Sequence, residues 1–316
     1  LETVLGIRLP PGDDYAESWE IAQHRDDVSR VAEGPLRGES LSALLDNCPG
    51  EILGPGLETQ RAFPLLVKFL DAHQDLSVQV HPDDARGAIL ANDQGKTEAW
   101  YVIHADPGSL IYAGLRDGVS RGQFTQAIDE NKVEPLLHRF TPHPGDCIYV
   151  PAGTVHALGA GVLVAEVQQM SDATFRIHDW GRLGADGKPR PLHLEAALEC
   201  IDFEAGPVNP VVPVRIETSR SARTTRLVEC DYFNLDSVSF QDFLEFGSTQ
   251  NFTILIGMSG RLKIAYEGQE YTLIKGQSLL LPAALGRLGA SSQQEAKVLV
   301  CTPGSVAVDP GATKDA

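Results

Sequence analysis

Sulfur and positive charge are both scarce in this 316-residue chain. Five cysteines and two methionines are all the sulfur it carries. Cys48, Cys147, Cys200, Cys230 and Cys301 are odd in number, widely separated and free of any C-x-x-C spacing, which argues against a disulfide scaffold or a thiolate zinc site and favours a reducing compartment. Lys and Arg total 26 against 43 Asp and Glu, a formal charge of −17. That balance opposes sequence-independent attraction to nucleic-acid backbones or anionic lipid surfaces, so neither is expected as a partner. An anionic small substrate would also be repelled at long range, so an enzyme for one would need a local cluster of Arg and Lys. Long apolar runs are missing too: no window approaches the roughly 18–20 residues that span a bilayer, and Leu1 to Gly12 carries no basic stretch followed by an apolar one. The expectation is a soluble cytoplasmic protein with no obligate protein partner, long enough for two core-forming units.

What the sequence does have is many short strand signals. Leu65–Leu70, Leu76–His81, Ala99–Ile103, Cys147–Val150, Val162–Gln169, Phe252–Ile256, Leu262–Tyr266 and Ser278–Leu281 are mostly β-branched, aromatic or aliphatic, and many end at Gly, Pro, Asp or Asn. A mainly β sandwich or barrel follows. Helices interrupt it. Ser40–Leu45 opens with a cap residue, and Pro82-Asp83-Asp84 places a proline and two acids as a first helical turn favours them. Ser120 with Gln123 reads as a capping box, followed by Phe124, Ala127 and Ile128 on one face, so a small helical insertion is expected at about 118–138.

A weak repeat links two regions. From Gly145 to Pro151 and from Gly276 to Pro282 a glycine leads into an apolar strand and then Pro-Ala, but only the first copy continues to a histidine, His156. With the prolines and glycine clustered between Glu204 and Pro213, this predicts two domains, 1–205 with the functional copy and 206–316 with a silent one lacking metal ligands.

Gln79 and His81 are two apart, and so are Lys96 and Glu98; on an extended strand such pairs face one side. With His156 they offer two imidazoles, a carboxylate and an amide oxygen. That shell suits catalytic zinc, and iron, manganese or nickel accept it as well. His24, His73, His104, His138, His143, His178 and His193 have no comparable setting.

The run Pro144-Gly-Asp-Cys-Ile-Tyr-Val-Pro-Ala-Gly-Thr-Val-His156 resembles the second cupin motif. Gln79-Val-His-Pro-Asp-Asp84, Gly95-Lys-Thr-Glu-Ala-Trp-Tyr101 and Glu166-Val-Gln-Gln169 then resemble the type I phosphomannose isomerases, with similarity from about Glu17 to Arg182. The resemblance implies a mainly β fold of two cupin-type jelly-roll units, the first carrying the helical insertion. It implies metal ligands at Gln79, His81, Glu98 and His156, an active-site arginine at Arg176, a substrate-facing lysine at Lys96, and bound zinc. The implied reaction interconverts mannose 6-phosphate and fructose 6-phosphate through an enediol(ate). Arg176 and Lys96 would act on the substrate, and Arg116, Arg182 and Lys68 are candidates for its phosphate. A cupin dioxygenase and a non-catalytic sugar-binding cupin are the competing readings; Gln79 with the Lys96/Arg176 pair favours the isomerase.

Overall fold

The computed structural model describes residues 1–9, 15–25, 27–184, 187–218 and 221–305. Strands dominate, as the sequence pattern implies. By packing, the chain divides into one unit of Leu1–Gly12, Trp19–Lys68 and Val212–Ala316 and another of Asp13–Ser18 and Phe69–Val211. The chain crosses at Val211/Val212, near the division at 205/206 drawn from the linker prolines. The first domain expected from sequence is nevertheless not one continuous stretch, because 19–68 groups with the C-terminal residues. Within that unit the Phe63 and Phe252 rings lie 4.7 Å apart, and the Phe252 N–H donates to the Leu53 carbonyl.

The unit built on Phe69–Val211 contains or shares β1 (Leu65–Ala72), β2 (Val78–Val80), α1 (Asp84–Leu90), β3 (Glu98–Ala105), β4 (Ile111–Leu115), α2 (Arg121–Asp129), β5 (Leu137–Phe140), β6 (Cys147–Val150), β7 (His156–Leu158), β8 (Val162–Gln169), β9 (Phe175–His178) and α3 (Leu194–Cys200). One sheet sets β1, β8, β3 and β6 side by side; the other runs β9, β2, β7, β4, β5. The inner faces of both sheets share one core. Trp100, Val102, Ile148, Val150 and Val164 from the first meet Ile111, Ala113 and Leu158 from the second. Every residue of β8 is buried, as a central strand covered on both faces requires. The second sheet's outer face, with Val78, Val80, Ala157, Phe175 and Ile177, packs on Phe124 of α2 and Ala197 and Cys200 of α3.

Local chemistry sets the helix ends. Ser120 accepts from the Gln123 N–H and Gln123 from the Ser120 N–H, the reciprocal cap expected from sequence. The insertion is shorter than 118–138, because β5 already starts at Leu137. Asp83 caps α1 by accepting from the Arg86 N–H at 2.8 Å, so Pro82 precedes the cap instead of lying in the first turn. Ser40 likewise caps the helix Leu41–Asn47.

In the other unit, Val214–Thr218, Ala222–Glu229, Phe233–Phe246, Leu288–Pro303, Thr253–Ser259 and Ser278–Leu281 follow one another in a sheet, with the hairpin Arg261–Tyr266/Gln269–Ile274 against Leu288–Pro303. The sequence repeat has a structural counterpart. Gly145 and Gly276 both take positive φ, 100° and 79°, each two residues before a four-residue strand that ends at a proline. Among the described residues no helix is long and apolar enough to cross a membrane.

Candidate metal centre

Strand register builds half of the centre. His156 on β7 is the direct partner of Gln79 on β2, and Gln79 is the partner of Arg176 on β9. Directly paired residues share a face, so Arg176, Gln79 and His156 form a row across the second sheet. Val78 and Val80, one position either side of Gln79, turn outward into the helix-covered core. From the facing sheet comes Glu98, at the start of β3, with Gln168 of β8 directly across from it.

His81, Glu98 and His156 are each at most 1 % exposed, and their ligand atoms all lie within 4.8 Å of one another. Nε2 of His81 is 3.3 Å from Oε2 of Glu98, and Nε2 of His156 is 3.5 Å from its Oε1. Ligand atoms about 2.0–2.2 Å from one tetrahedral zinc are separated by about 3.3–3.6 Å, so these spacings suit a single ion.

Hydrogen bonding selects the nitrogens. Nδ1 of His81 lies 2.9 Å from the Ala173 carbonyl and Nδ1 of His156 lies 2.8 Å from the Thr154 carbonyl. A carbonyl only accepts, so each Nδ1 carries the proton and each Nε2 presents a lone pair to the centre. Burial and then the Lys96 charge bring the His81 pKa down to about 3, with Glu98 opposing. Burial also lowers that of His156 against the opposing pull of Glu98. Burial disfavours the charged form of Glu98, but the Lys96 charge beside it acts the other way, and the carboxyl lies well below the usual range. Two neutral imidazoles and a carboxylate are the protonation states a divalent ion requires. Oε1 of the buried Glu98 receives no hydrogen bond among the described residues, whereas Oε2 has the Lys96 ammonium 3.0 Å away. A buried acceptor left like Oε1 is costly unless a cation or donor satisfies it, so the residues present fit a metal.

Lys96 reaches the same place. Its Nζ is 3.0 Å from both His81 Nε2 and Glu98 Oε2, and 3.7 Å from Oε1 of the buried Glu166. Its backbone is held on both sides. The Lys96 N–H donates to the Pro82 carbonyl, the Gly95 N–H to Asp84, and the Thr97 N–H to Oε1 of Gln169, whose Nε2 in turn donates to Asp84.

Gln79 is adjacent but turned. Its Nε2 is 3.3 Å from His156 Nε2, while its Oε1, the atom expected at the metal, accepts from Ser77 Oγ at 3.3 Å. Arg176 is half-buried; one terminal N–H donates to the Pro191 carbonyl and its buried Nε finds no acceptor among the described residues. Burial and the nearby Arg190 draw its pKa down, with Asp179 opposing. Arg182 and Arg190 both clasp the buried Asp179, at 3.1 Å and 2.8 Å from their Nε atoms. Arg182 thus falls in a cationic cluster with Arg176, to which Arg190 was not assigned from sequence. Arg116 is bound to the Leu137 carbonyl, and Lys68 is buried on β1. Among the described residues, the group able to hold a metal through His, Cys, Asp or Glu is His81, Glu98 and His156.

Known proteins match this architecture along most of its length. Residues 3–113 fit the model of the phosphomannose isomerase type I catalytic domain, and residues 223–301 that of the mannose-6-phosphate isomerase cupin domain. Mannose-6-phosphate isomerase ManA of Bacillus subtilis is 37% identical over 277 residues, 87% of this chain and 86% of its own. Mannose-6-phosphate isomerase of Streptococcus mutans is 34% identical, covering 86% and 84%. The crystal structure of mannose 6-phosphate isomerase from Bacillus subtilis superposes with a TM-score of 0.86 at 31% identity, over 95% of this chain and 93% of that one. The chain therefore belongs to the type I phosphomannose isomerase family.

Proposed function

We propose that this protein interconverts mannose 6-phosphate and fructose 6-phosphate, with one zinc ion held by His81, Glu98 and His156 and with Gln79 as a fourth donor once its carboxamide presents Oε1. The observation that carries the reading is the convergence of three buried ligand atoms, in metal-ready protonation states, in a chain more than a third identical to a mannose-6-phosphate isomerase.

Aldose–ketose isomerisation removes a proton α to a carbonyl and returns it to the neighbouring carbon, leaving an enediol(ate) between. A bound zinc supplies Lewis-acid stabilisation of the oxygen charge that develops. The protein's own groups divide the rest. Arg176, in the row with Gln79 and His156, donates to the sugar oxygens and stabilises the enediolate with a planar fork of N–H groups. Lys96 and Glu166, 3.7 Å apart and both buried, are the groups that hold and move the proton. Their burial also keeps bulk water from quenching the intermediate. Arg182 and Arg190 exceed the single charge of Asp179 and provide the local positive field that a phosphorylated substrate needs against the chain's net −17. Five cysteines without a disulfide suit the reducing cytoplasm as its setting.

Purified protein incubated with mannose 6-phosphate is expected to form fructose 6-phosphate, and to turn over unphosphorylated mannose far less efficiently. Oxygen uptake with no ketose formed would contradict the isomerase and favour a dioxygenase on the same ligands.

A further inference from the structure

Gln168 is 1 % exposed and lies directly across from Glu98 on the inner face of its sheet. Side chains so paired have Cβ atoms about 4.5–5.5 Å apart, so the carboxamide is within reach of whatever Glu98 helps to hold. Its orientation is fixed. Nε2 lies 3.0 Å from the Gln169 carbonyl and 2.6 Å from the Ser171 carbonyl, and because both partners only accept, the NH2 group must occupy that end. Oε1 is thereby turned the other way, buried and with no donor among the described residues. A carboxamide locked at one end, with a buried oxygen that no donor among the described residues reaches, is an acceptor set for a ligand.

Resting on the isomerase reading, we infer that Oε1 of Gln168 accepts a hydrogen bond from a hydroxyl of the bound sugar phosphate and so sets its position beside Glu98. Gln168 acts as a positioning residue at both ends. Its NH2 group pins the 169–171 turn, from which the chain runs to Ala173, the carbonyl that orients His81. Its oxygen selects a substrate bearing an O–H donor at the matching carbon. A site built for a hydroxyl rejects the analogue lacking it more strongly than an apolar pocket does, because the buried acceptor is left unpaired.

The test combines Gln168→Met with the 2-, 3- and 4-deoxy forms of the hexose 6-phosphate. Calorimetric binding to the zinc-free wild-type protein should weaken about tenfold for one deoxy form relative to its parent sugar phosphate. Gln168→Met should bind the parent about tenfold more weakly, bind that deoxy form as the wild type does, and retain wild-type zinc content. The kcat/KM for mannose 6-phosphate should fall in parallel. Equal losses for the parent and every deoxy form, or a loss that follows lost zinc, would reduce Gln168 to a clamp on the turn and overturn the inference. Wild-type binding that is indifferent to all three deletions would overturn it too, whether or not the variant folds. Absence of wild-type turnover of mannose 6-phosphate would instead reject the isomerase reading on which the inference rests.

Discussion

The carbonyl of Ala173 receives the Nδ1–H of His81 at 2.9 Å, so a backbone atom 92 positions along the chain fixes which face of that imidazole meets Glu98. The paired contact from His156 to Thr154 does the same for the second ring. With both tautomers set, the carboxylate between them carries the charge. Glu98→Gln keeps the shape and removes that charge. It is expected to lower zinc affinity by more than the roughly 10–100-fold typical of losing an outer contact, measured by competition with a chromophoric chelator. Wild-type affinity in that variant would remove Glu98 from the ligand set.

Arg176 is paired through the sheet with Gln79 and, among the described residues, makes no hydrogen bond or ion pair with His81, Glu98 or His156. Arg176→Ala should therefore cut turnover about 10²–10³-fold while zinc content by mass spectrometry stays at the wild-type level. Arg176→Lys should recover little, because a point charge does not reproduce the planar fork. Near-normal turnover in Arg176→Ala would exclude it from the mechanism.

The zinc-free protein should lose stability in acid well before ordinary surface titration explains it. His81 has a folded-state pKa of about 3 against 6.5 for an unperturbed histidine, so below pH 6.5 the unfolded chain takes up the proton more readily than the folded one. Its contribution is complete above pH 6.5 and is lost as the pH falls toward 3. The depressed pKa of Glu98 adds a further loss below the usual carboxylate range. Melting temperatures of chelated protein should fall steadily from pH 7 to pH 4, and His81→Gln should flatten that slope. An identical slope in the variant would show that His81 does not titrate as its burial dictates.

Gly153 holds the turn that leads into His156. It has φ 88°, donates its N–H to the His81 carbonyl at 2.9 Å, and a Cβ there would stand 3.1 Å from the Cys200 carbonyl oxygen. Gly153→Ala is expected to cost about 1–2 kcal/mol in left-handed backbone strain, seen as a melting temperature lower by several degrees. Thermal unfolding unchanged by the substitution would show that the turn relaxes without strain.

Much of this centre was legible because two spacings carry it. The i, i+2 relation places Gln79 with His81 and Lys96 with Glu98, and the glycine-strand-proline run leads to His156. Val162–Gln169 was readable to the residue because a central strand buried on both faces opens with an apolar run, and Cys147–Val150, at the edge of the same sheet, because a glycine turn and a proline bracket its short apolar run. Phe233–Phe246 and Leu288–Pro303 were not. These long strands carry Ser, Gln, Asp and Glu on exposed stretches and shift register near Gln241, so neither alternation nor an apolar run marks them. The short strands His156–Leu158 and Phe175–His178 also escaped, because three or four residues hold too little pattern until their partners are known. The side-chain facts that matter most, the turn of the Gln79 amide toward Ser77 two residues away and the clasp of Arg190 on Asp179 eleven residues away, depend on rotamers that sequence spacing does not fix. Gln168 and Gln169 were visible as a motif, but their separate tasks required the register of Val162–Gln169 against Glu98–Ala105.

The most direct test is a zinc titration of chelated protein, following conversion of mannose 6-phosphate to fructose 6-phosphate. Activity should be absent without metal, rise in proportion to added zinc, and reach its plateau at one ion per chain. Full conversion by protein freed of metal would contradict a reaction that depends on His81, Glu98 and His156 holding a cation.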